Sequence, residues 1–302
     1  MKVLCFGSLN IDYTYKLDHF VQKGETISSK ELIVCSGGKG LNQSIALSKA
    51  GGDTYHAGAI GEDGRFLLEQ LNEAGVNTEY VAVLSNVRSG NAIIQNEAGG
   101  DNCIILYGGA NQSITKEQIE NVFEHFEKDD FIVLQNEINE LDYIVKCAKE
   151  REMRIVLNPS PMNEKVLRLP LEYIDYFIVN EVEALQILGK EKNQELDGIK
   201  LAEELRRRFP GAAIVLTMGA VGAVYVDSKE TVTQAAFKVQ AVDTTAAGDT
   251  FTGFFIGGIM RGLETKEAML EAAKASAIAV TRQGAAPSIP TWEEIEKNRR
   301  LL

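Results

Sequence analysis

The segment Asp243-Thr244-Thr245-Ala246-Ala247-Gly248-Asp249 sets a carboxylate at each end of a run of small residues. Small side chains at Ala246, Ala247 and Gly248 let a ligand reach the main chain. A helix opening at Gly248 would leave its first amides without intrahelical acceptors. Its macrodipole adds about half a positive charge at the same end. Such a corner is an anion hole that can hold a phosphate. Asp249 lies in the same turn, where a carboxylate can take the proton of a hydroxyl attacking that phosphate. The competing reading is a plain helix cap, a position Asp favours; two aspartates around one small-residue turn favour chemistry.

A second polar cluster is Ser36-Gly37-Gly38-Lys39-Gly40-Leu41-Asn42-Gln43. It is not a P-loop, because no glycine stands five residues before Gly38 and Gly40 follows the lysine where Ser or Thr belongs. Nor does Gly7-Ser8-Leu9-Asn10 match a dinucleotide fingerprint. Three glycines around Lys39 suggest a strand-to-helix turn in close contact with a polar ligand. Asn10 and Asp12, two apart on extended chain, point the same way and can face one polyhydroxylated ligand; an Asx turn is the alternative. In Asn180-Glu181-Val182-Glu183 the spacing fits a helix cap, or a carboxylate that organises Mg²⁺ through water. Glu137 is an ordinary solvated acid unless the fold places it in a cleft. His19, His56 and His125 share no metal-type spacing.

These residues need a scaffold. Phe131–Leu134, Ile155–Leu157, Tyr176–Val179 and Ile214–Leu216 are uniformly apolar strands, separated by amphipathic helices over 141–150, from about Glu181, and over 198–209. Such strands are covered on both faces, which predicts a three-layer α/β/α domain around a mostly parallel sheet. A further helix is expected over 42–50. Phe237–Val242 reads as a strand leading to the Asp249 corner. Thr115 and Gln118 fit a capping box. Two stretches, about 13–35 and 89–108, hold strands without helices between them, with a hairpin at Gly99-Gly100-Asp101; they predict a small antiparallel β lid. No linker divides the chain, so residues 1–302 read as one domain.

Composition narrows the partners. Lys and Arg total 31 against 43 Asp and Glu, a formal charge of −12. A chain this acidic has no general attraction for nucleic acid or an anionic membrane. The apolar stretches fall well short of the roughly 18 residues that span a bilayer. Cys5, Cys35, Cys103 and Cys147 lack metal or disulfide spacing and read as small buried thiols in a cytoplasmic protein.

Taken in order, several motifs resemble the PfkB carbohydrate-kinase family, from Val3 to about Pro290. They begin with Gly7-Ser8-x-Asn10-x-Asp12, Gly24-Glu25-Thr26 and Gly37-Gly38-Lys39-Gly40-x-Asn42-Gln43. Next come Gly109-Ala110-Asn111, Asn158-Pro159-Ser160 and Asn180-x-x-Glu183, then the Asp243 to Asp249 segment and Thr281-Arg282-x-Gly284-Ala285. The resemblance implies ATP-dependent phosphorylation of the 5-hydroxyl of D-ribose. The alternatives are deoxyribose, another sugar or a nucleoside as acceptor, or a sugar-binding regulator that has lost catalysis. It implies Asp249 as base, with an anion hole from the backbone of Ala246, Ala247, Gly248 and Asp249. Asn10, Asp12, Gly38, Lys39, Asn42 and Glu137 would hold the sugar, with Ala92 and Ile94 of the lid over its apolar side. Asn180, Thr217 and Gly219 would contact ATP, and Glu183 would help position Mg²⁺. Asp243, Thr245, Ala279, Arg282, Gly284 and Ser288 would surround an activating K⁺. The lid would pair in a homodimer. Asn91 and Ala273 depart from the family pattern, beside the sugar and near the adenine respectively.

Overall fold

The apolar, β-branched runs form strands, and amphipathic helices cover them. A computed structural model describes residues 1–97, 99, 101–191 and 197–297. The N-terminal part contains β1 (Val3–Phe6), β2 (Asn10–Leu17), β3 (Glu31–Gly37), α1 (Lys39–Lys49), β4 (Thr54–Gly61), α2 (Arg65–Glu73) and β5 (Asn77–Leu84). Then come β6 (Gly90–Glu97), β7 (Asn102–Tyr107), α3 (Lys116–Phe123), β8 (Phe131–Gln135), α4 (Leu141–Glu150) and β9 (Arg154–Asn158). The remainder is β10 (Tyr176–Asn180), α5 (Glu181–Leu188), α6 (Gly198–Arg208), β11 (Ala213–Thr217), β12 (Gly222–Val226), β13 (Thr231–Ala235), α7 (Ala247–Met260), α8 (Thr265–Ala279) and α9 (Trp292–Lys297).

The main sheet runs β13-β12-β11-β10-β9-β8-β1-β4-β5. All pairings from β5 to β11 are parallel, and β12 and β13 extend the far edge antiparallel. Alternate residues of each strand feed separate cores. Leu4, Ile132, Leu157 and Phe177 pack with α3 to α6 on one face. Val3, Val133, Val156 and Ile178 pack with α1, α2, α7, α8 and α9 on the other. That division is what a sheet buried on both faces requires.

The second sheet, β3-β2-β6-β7, forms the lid. Its outer pairs are antiparallel, as expected, whereas the central pair β2–β6 is parallel. The parallel pair arises because β2 and β6 both leave the main sheet in the same direction, after β1 and β5. Of the expected hairpin turn, Gly100 lies outside the described residues; across it Glu97 N donates to Asp101 O at 3.1 Å.

Helices α1 and α7 cross unusually closely. A Cβ added at Gly253 would lie 2.3 Å from Ala46 Cβ and 2.7 Å from Leu47 N, and one at Gly257 would lie 2.6 Å from Ala50 Cβ. Ala46 is one turn beyond Asn42, and Gly253 is one turn beyond Asp249. The small-residue crossing therefore brings the polar start of α1 against the start of α7.

Some local expectations need correction. Thr115 does cap α3, accepting from Gln118 N at 3.1 Å, but the Gln118 side chain donates instead to Gly58 O at 2.7 Å. A tertiary acceptor on the sheet outcompetes the local one. Residues 237–242 are not a strand: β13 ends at Ala235, and the alternating Phe237, Val239 and Ala241 line a cavity instead. Cys5 is buried and Cys147 half-buried, but Cys35 and Cys103 are exposed, because the lid strands carrying them are covered on one side at most.

Candidate active site

The start of α1 is a close-packed corner. Gly38, at φ 97°, adopts a conformation that favours glycine. A Cβ at Gly40 would lie 2.4 Å from Ser8 N, so only glycine lets the helix sit on the turn after β1. The first amides of α1 find acceptors outside the helix. Lys39 N donates to Glu137 Oε2 at 3.0 Å, Gly40 N to Ser8 Oγ at 3.2 Å and Leu41 N to Ser8 O at 3.0 Å. Ser8 Oγ in turn donates to Glu137 Oε2. Glu137, from the loop after β8, is therefore no free surface acid; it caps α1, where the helix dipole favours a negative charge.

Asp249 lies in the first turn of α7 and is 7% exposed. Asn42 Nδ2 donates to its Oδ2 at 3.1 Å and Gln43 Nε2 to its Oδ1 at 2.9 Å. Ala246 precedes the helix in the left-handed region at φ 59°, a conformation costing about 1 kcal/mol for a non-glycine residue. The Ala247 amide is spent on Thr244 O at 3.2 Å. Among the described residues, the amides of Gly248 and Asp249 donate to no backbone oxygen, which narrows the expected anion hole to these two. A Cβ at Gly248 would meet nothing within 4 Å, so the space in front of the amides is open.

The sugar-side candidates gather on the inner face of the lid's base. Asn10 and Asp12 do point the same way along β2, and Ala92 and Ile94 stand beside Asp12 and Thr14 on β6. Asn10 Oδ1 accepts from Asn111 Nδ2 at 2.7 Å, a bond that fixes its amide. A Cβ at Gly37 would fall 2.1 Å from Asp12 Oδ2, so the carboxylate lies flat over that glycine. Burial, reinforced by Glu137, pushes the Asp12 carboxyl up to about 7. Burial raises Glu137 as well, against the opposing pull of Ser8 and Lys39. For Lys39, burial alone would lower the ammonium; Asp249, Glu137 and Glu183 outweigh it and hold it above its ordinary range. A single cation is thus flanked by carboxylates.

On the other side of Gly248 a cavity of about 320 Å³ opens between β11, β12, α7 and α8. Thr217, Gly219, Ala223, Phe251 and Ala273 line it, so two of the expected nucleotide contacts and the departing Ala273 fall together. Asn180 is not among the lining residues; it stands beside Thr217 in the sheet register. It forms a true capping box with Glu183: Glu183 N donates to Asn180 Oδ1 and Asn180 N to Glu183 Oε2, both at 2.9 Å. Glu183 itself is buried.

Asp243 ties two loops together. Its Oδ1 accepts from Thr245 N at 2.9 Å and its Oδ2 from Gly284 N at 3.0 Å. Burial opposes ionisation here, but these bonds hold the carboxyl below its usual range. Ser288 Oγ donates to Ala285 O at 2.7 Å, and Ala279 O accepts from Arg282 N at 3.0 Å. The Arg282 guanidinium pairs with Glu294 at 2.6 Å, and its Nη1 also donates to Ser288 O at 3.5 Å, so the side chain braces the loop. Among the described residues no group of three or more His, Cys, Asp or Glu could hold a metal ion.

Sequence reasoning quoted Ser8, Gln43, Asn111 and Asn158 within motifs but gave them no role, and it missed Gln135 and Phe251. Gln43 carried a signal in its place beside Asn42, since neighbouring helical residues can straddle one carboxylate. Phe251 carried none, because an aromatic residue in an apolar helix reads as core.

Comparison with known proteins bears on this geometry. A family model described as pfkB family carbohydrate kinase matches residues 1–292. The chain is 33% identical to a ribokinase of Staphylococcus aureus, over 98% of this chain and 99% of that one. Among solved structures it resembles ribokinase from Cryptococcus neoformans in complex with ADP, with TM-score 0.85 and 32% identity over 98% of this chain and 99% of that one. It also resembles Arabidopsis thaliana ribokinase complexed with ribose and ATP, with TM-score 0.85 and 28% identity over 98% and 97%. The fold, the Asp249 corner and these likenesses agree: this chain belongs to the PfkB family of carbohydrate kinases.

Proposed function

We propose that the chain transfers the γ-phosphoryl group of ATP to the 5-hydroxyl of D-ribose, giving ribose 5-phosphate and ADP. One observation carries this: a buried carboxylate and two unspent amides share the corner at Gly248 and Asp249, with polar side chains on one side and an open cavity on the other. Asp249 accepts the hydroxyl proton as the oxygen attacks phosphorus, and the bond to the bridging oxygen of ADP breaks. The amides of Gly248 and Asp249 stabilise the charge that develops on the transferred group. Asn10, Asp12, Lys39, Asn42 and Glu137 hold the sugar hydroxyls, which both donate and accept. Gly38 lets the main chain approach, and Ala92 and Ile94 cover the apolar side. Thr217, Gly219 and Asn180 contact the nucleotide.

Glu183 keeps a buried carboxylate near Lys39 and fits a water-mediated role toward Mg²⁺, which neutralises phosphate charge when bound. The oxygen-only set of Asp243, Thr245 and Ser288 with the carbonyls of Ala279, Arg282 and Gly284 suits a hard monovalent cation such as K⁺. The lid supports a homodimer, since β7 exposes Ile104, Ile105, Leu106 and Tyr107 along an open edge. In this account the chain is one kinase domain working in the cytoplasm; no helix among the described residues is long and apolar enough to cross a membrane.

The test is a panel of ribose, deoxyribose, other pentoses and nucleosides with ATP, Mg²⁺ and K⁺. Ribose should give the highest kcat/KM. A nucleoside preferred over ribose would overturn the assignment.

A further inference from the structure

Beneath Asp249 lies a chain of carboxamides, Gln43 and Gln135 fully buried and Asn158 half-buried, whose donors are set by their partners. Gln43 Nε2 donates both to Asp249 Oδ1 at 2.9 Å and to Asn158 Oδ1 at 3.1 Å. Gln43 Oε1 accepts from Gln135 Nε2 at 2.7 Å. A carboxamide has a donor end and an acceptor end. Gln135 therefore compels Gln43 to turn its NH₂ toward the carboxylate. Asn158 is fixed in the same way, because its Nδ2 donates to Ile178 O at 2.9 Å and its oxygen must face Gln43. Gln135 takes its own orientation from Cys5, whose Sγ accepts its second N–H at 3.5 Å. Turning Gln43 over would set oxygen against oxygen at Asp249 and at Asn158 together.

Gln43 and Gln135 are both fully buried. A buried amide is destabilising wherever a partner is lost, so apolar side chains would fill this space more safely. Room is also made for the chain: a Cβ at Gly7 would lie 2.3 Å from Gln135 Oε1. The donors run in one direction, from Gln135 to Gln43 to Asp249, and they end on the carboxylate that faces the anion corner.

We propose that Gln43 is the positioning residue for the Asp249 carboxylate, and that Gln135 and Asn158 act through it by fixing its amide. With Gln43 donating to Oδ1 and Asn42 to Oδ2, the carboxylate plane cannot rotate. One lone pair therefore stays aimed at the incoming hydroxyl. This rests on Asp249 serving as the base.

The experiment measures kcat and ribose KM at saturating ATP, with melting midpoints, for Gln43→Met, Gln43→Glu, Gln135→Leu, the Gln43→Met/Gln135→Leu double variant and Asp249→Asn. Gln43→Met fills similar space without a donor. It should lower kcat about 10- to 100-fold, the scale of an ångström-level misplacement, with ribose KM within about threefold. Gln135→Leu should lose less, about 3- to 10-fold, and the double variant should be no worse than Gln43→Met within about twofold, because residues acting through one another do not add. Gln43→Glu, close to isosteric, should fall below Gln43→Met, because it faces one carboxylate with another. Losses that multiply in the double variant, or that track the melting midpoint, would overturn the proposal. So would Gln43→Met keeping kcat within about threefold of the parent. Should Gln43→Met not fold, Gln43→Glu decides, and near-parental kcat in it overturns the proposal. An inactive Asp249→Asn beside an active Gln43→Met would refute the positioning role alone. An active Asp249→Asn would remove the base and the positioning role with it.

Discussion

The two sides of the Gly248 corner are built from opposite materials. On the proposed sugar side, Asn10, Asp12, Asn42, Gln43 and Glu137 are polar and wholly or partly buried; Asn42 and Gln43 bond to Asp249, Asn10 to Asn111 and Glu137 to the Lys39 amide. On the proposed nucleotide side, the cavity wall is mostly glycine, alanine and other small or apolar residues. The difference follows from what each ligand offers. Sugar hydroxyls carry direction and need partners with direction, whereas a phosphate is met by amides at a helix start and a flat ring needs mainly space. One side is specified by side chains, the other by main chain and absence of side chain.

Separating the two sides should do the most harm. Gly253→Val drives a branched side chain into the α1–α7 crossing, where even a Cβ would lie 2.7 Å from backbone. Overpacking of this kind costs about 1–3 kcal/mol, and the helices can relieve it only by parting, which moves Asn42 and Gln43 off Asp249. Activity should fall about a hundredfold or more even where the protein remains folded, the scale of an ångström-level displacement. A folded variant with near-parental turnover would show that the crossing does not set the site.

Removing a directional partner should damage one side only. Asp12→Ala should lower kcat/KM for ribose about 10- to 100-fold, as for a lost bond to a charged group. The KM for ATP should change by less than about threefold on the same logic of separate sides. Equal effects on both ligands would break the contrast. Gly248→Ala probes the other material. Its Cβ meets no protein atom, and alanine favours a helix by about 0.5–1 kcal/mol over glycine. The melting midpoint should hold or rise while turnover falls, because the methyl occupies the space before the amides. Unchanged turnover would argue against a phosphate there.

The smallest effect concerns stability. With the Asp12 carboxyl pushed up to about 7 and an unfolded aspartate near 3.9, the native state keeps a proton that the unfolded chain releases between these values. Stability therefore falls as pH rises through that window and levels off above it. Asp12→Asn should lose this slope and melt a few degrees above the parent at pH 8, roughly 2–4 °C for a chain of this size. The variant matching the parent in slope from pH 4 to 7 would contradict a proton held at Asp12.

Local signals in the amino-acid sequence carried much of this. The runs around β8, β9, β10 and β11 are apolar throughout, so they announce buried strands, and the small residues between Asp243 and Asp249 announce the corner. The alternation of Asn10 and Asp12 gave one face of β2 correctly. What stayed hidden is non-local. Gln43 meets Asp249 and Gln135 across 206 and 92 residues, and no local pattern encodes such a meeting. The 237–242 stretch misled because alternation arises equally from a strand and from an extended loop lining a cavity. Thr115 with Gln118 and Asn180 with Glu183 have the same spacing, yet only the second closes a capping box, because a sheet carbonyl captures Gln118 first. The cavity beside Gly248 left little trace, since alanine and glycine are read as packing.

The most direct test is Asp249→Asn, which keeps the shape of the side chain and its contact with Asn42 while removing the proton acceptor. Calorimetry should find ribose and ATP bound within about threefold of the parent, while turnover drops about a hundred- to ten-thousandfold, the range for a lost general base. Turnover within about tenfold of the parent, with binding intact, would contradict the account.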